Sequence, residues 1–282
     1  MITTHPTANA FLQACQPMLE EKEAENNLIL GLAITINRDI KYYSNLPPLF
    51  ITIHDQAECV GACLQTPPHN LIIYATKKHL DRSIRELCDY LVDHQIKLPG
   101  MIGSKDTVLK FVERWTSMNP FSSGDQINQM VYKLEKVNPI PIADGKLRQA
   151  TDLDLELIAD WMGKFHVEAL QSISAKEATE LAVKKIREGA LYLWETDQPV
   201  SMVGWTRPTR NGVTIAYVYT PLQYRKRGYA TSSVAKLSEL LLAQHRFCAL
   251  FTDLSNPTSN SIYQKIGYQA LDHVLQCKFL KN

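Results

Sequence analysis

The sequence has no apolar run long enough to cross a membrane. A membrane-spanning helix needs about 20 consecutive apolar residues, and no apolar run among the 282 residues approaches that length. Residues 1–16 also lack the basic region followed by an apolar region that marks a secretory signal. We therefore expect a cytoplasmic protein with no membrane partner.

An excess of charge of either sign is also missing. The chain has 30 Lys and Arg residues against 29 Asp and Glu residues, for a formal net charge of +1. Nucleic-acid binding usually shows a long basic face, and the basic residues here form only short groups, at Arg207, Arg210 and 225–227. We expect no nucleic-acid partner, and a monomer or homodimer.

The six cysteines are too scattered to form a disulfide framework or a paired metal site. Cys59 and Cys63 are four residues apart, with His54 and His69 nearby. Tetrahedral zinc sites usually draw on a second pair of ligands elsewhere in the chain, and the sequence shows no such pair. We expect no metal, and buried free thiols as the state of most cysteines.

The order of the predicted elements repeats along the chain. A length of 282 residues suits two domains of roughly 140 residues each. In each half, hydrophobic periodicity predicts two helices, three strands, a helix, a strand, a helix and a final strand. Asn138-Pro139-Ile140-Pro141 marks the connection. The predicted domains are 1–138 and 146–282, with a linker at 139–145.

A basic segment with one glycine follows the third strand of the second half. It reads Arg225-Lys226-Arg227-Gly228-Tyr229-Ala230-Thr231 and leads into a predicted helix over 230–244. At a helix N-terminus the backbone N–H groups converge and the helix dipole favours negative charge. Gly228 lets the backbone approach an anion closely. A solvated basic turn would show the same residues, so the segment alone does not decide the function.

A second segment follows the next strand, and the two together carry a family resemblance. Asn256 is followed seven residues later by Tyr263, and then by Gly267-Tyr268. With Arg225, Gly228 and Ala230, this pattern resembles the pyrophosphate loop and the asparagine-initiated helix of the GCN5-related N-acetyltransferase (GNAT) superfamily. The resemblance covers about residues 146–282.

The resemblance implies an α+β (α/β) fold, with a mixed, mostly antiparallel sheet flanked by helices, in two tandem GNAT-like domains. It implies an N-acetyltransferase that moves an acetyl (acyl) group from acetyl-CoA to a small-molecule or peptide amine by direct attack, with no metal. Tyr263 is implied as the acid that protonates the departing thiolate. The implied cofactor-binding residues are Tyr217, Val218, Tyr219, Thr220, Arg225, Lys226, Arg227, Gly228, Tyr229, Ala230, Thr231, Asn256 and Ser259.

The sequence does not identify the general base, because the predicted strand 213–220 contains no carboxylate. The candidates are Asp253, Glu195, Glu168 and His166, and none is preferred. A non-catalytic acyl-CoA sensor or pseudoenzyme is therefore the alternative function.

Residues 76–81 of the first half have no glycine at the corresponding loop. We therefore predict a degenerate domain that does not bind CoA and helps to wall the acceptor cleft. The other expected lining of that cleft is 165–174 and the terminal strands.

Overall fold

The computed structural model describes residues 1–169 and 172–281. Leu170, Gln171 and Asn282 lie outside the described residues, and with them part of the segment 165–174 that we expected to line an acceptor pocket. The chain forms two compact units. The first comprises residues 1–132, 251–257 and 270–282, and the second comprises residues 133–250 and 258–269.

Among the described residues, the α-helices and β-strands form two successive sets of ten, in the same order each time. The first set is β1 (Ile2–Thr4), α1 (Ala8–Glu20), α2 (Asn27–Arg38), β2 (Leu49–Asp55), β3 (Glu58–Gln65), β4 (Leu71–Ala75), α3 (Leu80–Asp93), β5 (Gly100–Ser104), α4 (Lys105–Met118) and β6 (Phe121–Leu134). The second set is β7 (Lys146–Gln149), α5 (Leu155–Ala169), α6 (Ala175–Arg187), β8 (Leu191–Glu195), β9 (Pro199–Thr206), β10 (Gly212–Tyr219), α7 (Tyr229–Leu242), β11 (Phe247–Asp253), α8 (Pro257–Ile266) and β12 (Gln269–Lys281). The repeat predicted from element order is therefore confirmed.

Each unit has a mixed sheet in which most strand pairs are antiparallel. In the first unit the strand order is β1-β2-β3-β4-β5-β12-β6, and in the second it is β7-β8-β9-β10-β11. The pair β4 and β5 is parallel, and so is the pair β10 and β11. The predicted three-strand meanders, β2–β4 and β8–β10, are both antiparallel throughout.

Alternating side chains explain how the sheet of the first unit is covered on both faces. Ile51 and Ile53 of β2 point into a core with α3 and α4, whereas Phe50, the residue before Ile51, joins a core with α1 and α2. This is the period of two that a strand imposes on its side chains. In the second unit α5 and α6 pack on Leu191, Leu193 and Met202, and α7 packs against β8, β9 and β10.

Capping residues set the starts of several helices. The Thr7 hydroxyl accepts a hydrogen bond from the Ala10 amide at the start of α1, at 3.2 Å. Ser174 and Glu177 form a reciprocal capping box at the start of α6, as serine followed by glutamate three residues later predicts. Within the described residues, no helix has both the length and the apolar composition that crossing a bilayer requires.

The last strand of the chain pairs in the first unit, although it closes the second set of elements. Five residue pairs join Val274–Lys278 of β12 to Gly100–Ser104 of β5 in antiparallel register. Leu275, Cys277 and Phe279 are buried in the same core as α3 and α4. The compact units therefore differ from the predicted boundaries, which placed all of 146–282 in one domain. The assignment of a catalytic and a degenerate half stays a prediction.

We predict that the first unit does not fold stably without β12. Truncation after Gln269 removes four buried side chains, Val274, Leu275, Cys277 and Phe279. Burial of the valine, the leucine and the phenylalanine stabilises the fold by about 1.5–3 kcal/mol each, and the total stability of a domain is on the order of 10 kcal/mol. Thermal unfolding followed by circular dichroism should show loss of a cooperative transition for this unit. Deletion of residues 2–4, a short and partly exposed edge strand, should cost much less. A truncated protein with the transition of the full chain would contradict the prediction.

Candidate functional site

The pairing between β10 and β11 is short, although both strands continue beyond it. Three residue pairs join them, from Gly212 with Phe247 to Thr214 with Ala249. β10 runs on to Tyr219 without further pairing to β11. The backbone edge of β10 beyond Thr214 is therefore not used by the β10–β11 ladder, and it can serve a ligand with hydrogen-bonding groups.

A bulge lies in this same part of β10. The register with β9 shifts between Ala216 and Tyr219, and Tyr217 has a φ of 57°. A positive φ is uncommon for a residue with a side chain and occurs where the surroundings hold it. A bulge re-aims the backbone groups around it, so the main chain at Val218 and Tyr219 leaves the regular direction of the ladder.

The end of β10 is fixed by a buried serine of β9. The Ser201 hydroxyl bonds to the Tyr219 carbonyl oxygen at 3.2 Å and to the Thr220 hydroxyl at 2.8 Å. Ser201 is fully buried. These bonds hold the end of the strand, which a 3₁₀ turn at Leu222–Tyr224 connects to the basic loop.

Within the loop, two residues adopt left-handed backbone conformations. Lys226 has a φ of 63°, and Gly228, the N-cap of α7, has a φ of 81°. A Cβ at Gly228 would contact only Ala143 Cβ, at 3.7 Å, so the reason for glycine is its φ and not crowding. Turns with left-handed residues aim successive N–H groups in one direction and so form anion-binding concavities.

The loop amides precede the hydrogen-bond ladder of α7. Ser232 N donates to Gly228 O at 2.9 Å, so the amides of Tyr229, Ala230 and Thr231 lie in the first turn, where no helical acceptor exists. Such groups at the positive end of the helix dipole suit a phosphate.

The three basic side chains of the loop differ in their contacts and exposure. Arg225 donates from Nε to Thr220 O at 2.7 Å and from its guanidinium to Glu168 Oε2 at 2.6 Å. Its side chain therefore ties the loop to β10 and α5. Lys226 and Arg227 are exposed, and Arg227 borders a cavity of about 700 Å³ that Lys146, Tyr224 and Tyr229 also line.

A second cavity of about 520 Å³ lies between α5 and the end of β10. Leu157, Trp161, Tyr219 and Pro221 give it apolar walls, and Glu168 is among its charged residues. The cavity therefore offers space for an uncharged group beside the bulged strand.

α8 carries the second motif. Tyr263 is 8% exposed, and burial raises the pKa of its phenol to about 12. Asn256 is exposed just before the helix, where its amide donates to Asp253 O at 3.1 Å, and Ser259 is in the first turn.

The Gly267-Tyr268 step has a structural role. Gly267 has a φ of 114°, and Tyr268 bonds through its hydroxyl to Ser238 of α7 at 2.8 Å. The motif thus fixes α8 on α7.

The four candidate bases are all engaged or adjacent to other groups. Glu195 forms an ion pair with Arg148, and Glu168 forms one with Arg225. Asp253 Oδ1 accepts from the Ser255 amide at 2.7 Å, and His166 packs edge-on against Phe165. No preference among them emerges. Within the described residues no three His, Cys, Asp or Glu side chains are grouped to hold a metal ion.

The corresponding loop of the first unit lacks the left-handed residues. After β4 the chain forms a 3₁₀ turn at Lys77–His79 and enters α3. Among the described residues 76–80, none has a positive φ. The segment therefore lacks the backbone shape found at 226–228.

Sequence reasoning missed the bulge and the residues that support it. No propensity rule marks Tyr217 as left-handed or Ser201 as the anchor of the strand end. Gly204 did carry a signal, because an isolated glycine within a strand indicates a bulge or a close approach. A Cβ there would lie 2.6 Å from Ala190 O and 3.1 Å from the Tyr217 ring.

Comparison with solved structures shows the class of fold. An acetyltransferase of the GNAT family from Colwellia psychrerythraea is 14% identical with a TM-score of 0.59, covering 99% of this chain and 100% of its own. A GCN5-related N-acetyltransferase from Sphaerobacter thermophilus is 13% identical with a TM-score of 0.63, covering 100% and 96%. A tandem GNAT protein from the clavulanic acid biosynthesis pathway is 10% identical with a TM-score of 0.54, covering 99% and 98%. The chain therefore has the GNAT fold, and the fold implied by the two motifs is confirmed.

The sequence itself matches a family model over part of its length. Residues 193–277 match the family described as FR47-like protein, and this range contains the bulge, the basic loop and α8. Comparison with curated proteins found no match to the chain. The family match and the fold together confirm the resemblance stated from the sequence.

We predict that Tyr263 makes stability fall at high pH. Its folded-state pKa of about 12 lies above the unfolded value near 10, so its contribution is complete below pH 10 and is lost as pH rises toward 12. The loss should be on the order of 2 kcal/mol. Guanidinium unfolding of Tyr263→Phe should depend less on pH in this range than that of the native protein. Burial also raises the pKa of Tyr268. Since Tyr268 is present in both proteins, its contribution cancels in the comparison. Equal pH dependence would contradict the prediction.

Proposed function

We propose that this protein is an N-acyltransferase that moves an acetyl or related acyl group from acyl-CoA to an amine. One observation carries the proposal. In the second unit, a bulged strand that stops pairing with β11 leads through a 3₁₀ turn at Leu222–Tyr224 into a loop with two left-handed residues at a helix N-terminus. The fold is that of the GNAT superfamily, and its members supply the analogy for the chemistry.

The loop suits the pyrophosphate of CoA. The amides of 228–231 supply donors without helical acceptors, and Lys226 and Arg227 add exposed positive charge. In this proposal Ser259 binds the pantetheine arm, together with the main chain of residues 217–220. Arg225 acts through its ties to Thr220 and Glu168, which hold the loop in place.

Acetyl-CoA supplies a thioester, whose carbonyl carbon accepts the attacking nitrogen. A new C–N bond forms as the C–S bond breaks. The N–H of Val218 or Tyr219 polarises the carbonyl oxygen, which is where a fixed backbone donor contributes most. Tyr263 donates a proton to the sulfur, and the proton that the nitrogen loses as the amide forms passes to water, from which the phenol is reprotonated. Since its pKa is raised to about 12, its phenol keeps the proton throughout the neutral range.

The acceptor must reach the carbonyl as an uncharged amine. We assign it to the cavity between α5 and β10, because Tyr219 lines that cavity and its walls are largely apolar. An amine with an apolar substituent fits these walls better than a polyvalent cation. No side chain is assigned as the base, since the nearby Glu168 is already paired with Arg225.

An acyl-CoA sensor without turnover is the second candidate. The observation in its favour is that β10 has no carboxylate, while Glu195 and Glu168 are held in ion pairs. A sensor would keep the loop and bind acyl-CoA, but it would release no free CoA when amines are added.

The two candidates separate in one experiment on the full-length protein. Calorimetric titration with acetyl-CoA measures donor binding, and a thiol reagent measures free CoA after addition of a panel of aromatic, aliphatic and polyvalent amines. Binding with CoA release supports the transferase. Binding without release for every amine favours the sensor, and absence of binding contradicts both.

We predict that Gly228→Glu abolishes acetyl-CoA binding. The substitution places a carboxylate at the loop and forces a side chain into a φ of 81°, which costs about 1 kcal/mol in conformational strain. Calorimetry should show no heat of binding for the variant.

Gly189→Ala is the matched control, because Gly189 has a similar φ of 65° at the end of α6 and is not in the loop. It should lower stability yet bind acetyl-CoA normally. Retained binding in Gly228→Glu would remove the loop from the proposal.

We predict that Tyr263→Phe slows turnover and leaves donor binding nearly unchanged. The substitution keeps the buried ring, which packs edge-on against Tyr268 at 6.0 Å, and removes only the proton source. General-acid groups contribute about 10²–10⁴-fold to rate, so kcat should fall by at least about tenfold. Steady-state CoA release gives kcat and KM, and an unchanged kcat would exclude Tyr263 as the acid.

A further inference from the structure

The bulge in β10 depends on an aromatic residue in an unfavourable backbone conformation. Tyr217 has a φ of 57°, a region that costs most side chains on the order of 1–3 kcal/mol. Such a conformation persists only where the surrounding structure determines it. The groups that hold the Tyr217 ring therefore also hold the direction of the N–H groups that follow it.

Three of the residues near the ring bear on its position. Gly204 of β9 has no Cβ, and a Cβ there would lie 3.1 Å from Tyr217 Cδ2. Phe165 of α5 meets the ring edge-on, with 6.1 Å between the centroids. Lys185 of α6 places Nζ 6.0 Å from the ring centroid. The first provides space, the second packs apolar surface, and the third brings a positive charge to the ring face.

Lys185 is an unusual residue to find there. Its side chain is 4% exposed, and its Nζ lies 2.6 Å from Glu188 Oε2. Burial lowers its pKa, while the bond to Glu188 opposes that effect. Burying an ion pair brings little net stability compared with apolar packing, although a lysine in the last turn of a helix also interacts favourably with the helix dipole.

Glu188 fixes where the ammonium lies. The two residues are three apart at the end of α6, and the Glu188 amide donates to Lys184 O at 3.0 Å, which anchors the acid at the helix terminus. The charge is thereby held at one place against the Tyr217 ring instead of moving with a flexible side chain.

We propose that Lys185, held by Glu188, is a positioning residue that fixes the Tyr217 ring over Gly204 and so aims the N–H groups of Val218 and Tyr219. The residue does not touch the reacting atoms. Its catalytic consequence rests on the proposed acyl transfer, whereas its effect on the bulge does not.

Lys185→Met tests the proposal, because methionine keeps most of the length and removes the charge. Carbon and amide chemical shifts of residues 216–219, measured by NMR without ligand, should move away from those of a left-handed Tyr217. In steady-state CoA release, kcat should fall at least about tenfold, since a misplaced oxyanion donor costs on that scale.

Lys236→Met is the matched control. Lys236 and Glu239 also form an ion pair three residues apart on a helix of the second unit, with Nζ to Oε2 at 2.7 Å, but they are exposed. This variant should leave the shifts and kcat unchanged. Lys185→Arg, which keeps the cation, should recover part of the kcat lost in Lys185→Met.

Unchanged shifts at 216–219 in folded Lys185→Met would overturn the proposal, whatever the activity. If Lys185→Met does not fold, Lys185→Met with Glu188→Gln removes both charges, and its shifts decide in the same way. If the native protein releases no CoA with any amine, the proposed function is contradicted. The NMR shifts of Lys185→Met would still test the effect of Lys185 on the bulge.

Discussion

The structure of the site depends on how little of β10 is paired with β11. Three residue pairs join the strands, and the pairing ends at Thr214. Beyond that point β10 bulges at Tyr217 and is held by Ser201 at its end. A strand fully paired on both sides would have no main-chain groups for a ligand. The bulge, the loop and the first turn of α7 follow along the chain from this early end of the ladder.

Backbone conformation, more than side-chain charge, defines the loop. Lys226 and Gly228 are both left-handed, and the amides that follow belong to the unsatisfied first turn of α7. Arg225, the basic residue that the sequence motif emphasises, is bonded to Thr220 and Glu168. The glycine and tyrosine after α8 likewise secure a helix, since Tyr268 bonds to Ser238. Some motif residues thus hold neighbouring elements in place, whereas others form the site itself.

Hydrophobic periodicity predicted most helices and strands, because buried and exposed side chains recur in them with the period of the element. Examples are the two meanders and α3, in which Ile84, Leu87, Cys88 and Leu91 form one buried stripe. The short edge strands β1 and β7 escaped prediction, since three or four half-exposed residues carry no clear period. The pairing of β12 with β5 escaped for another reason: strand periodicity identifies a strand but not its partner. The bulge depends on Gly204, Lys185 and Tyr217 meeting in space, which no local pattern records.

Hydrogen exchange at individual amides tests the central claim most directly, namely that the β10 edge and the α7 N-terminus together bind acyl-CoA. The account predicts that saturating acetyl-CoA slows exchange at Val218, Tyr219 and residues 228–231, while exchange in the corresponding segment 76–80 of the first unit does not change. Slowed exchange at 76–80 alone, or no change at 218–219 and 228–231, would contradict the account.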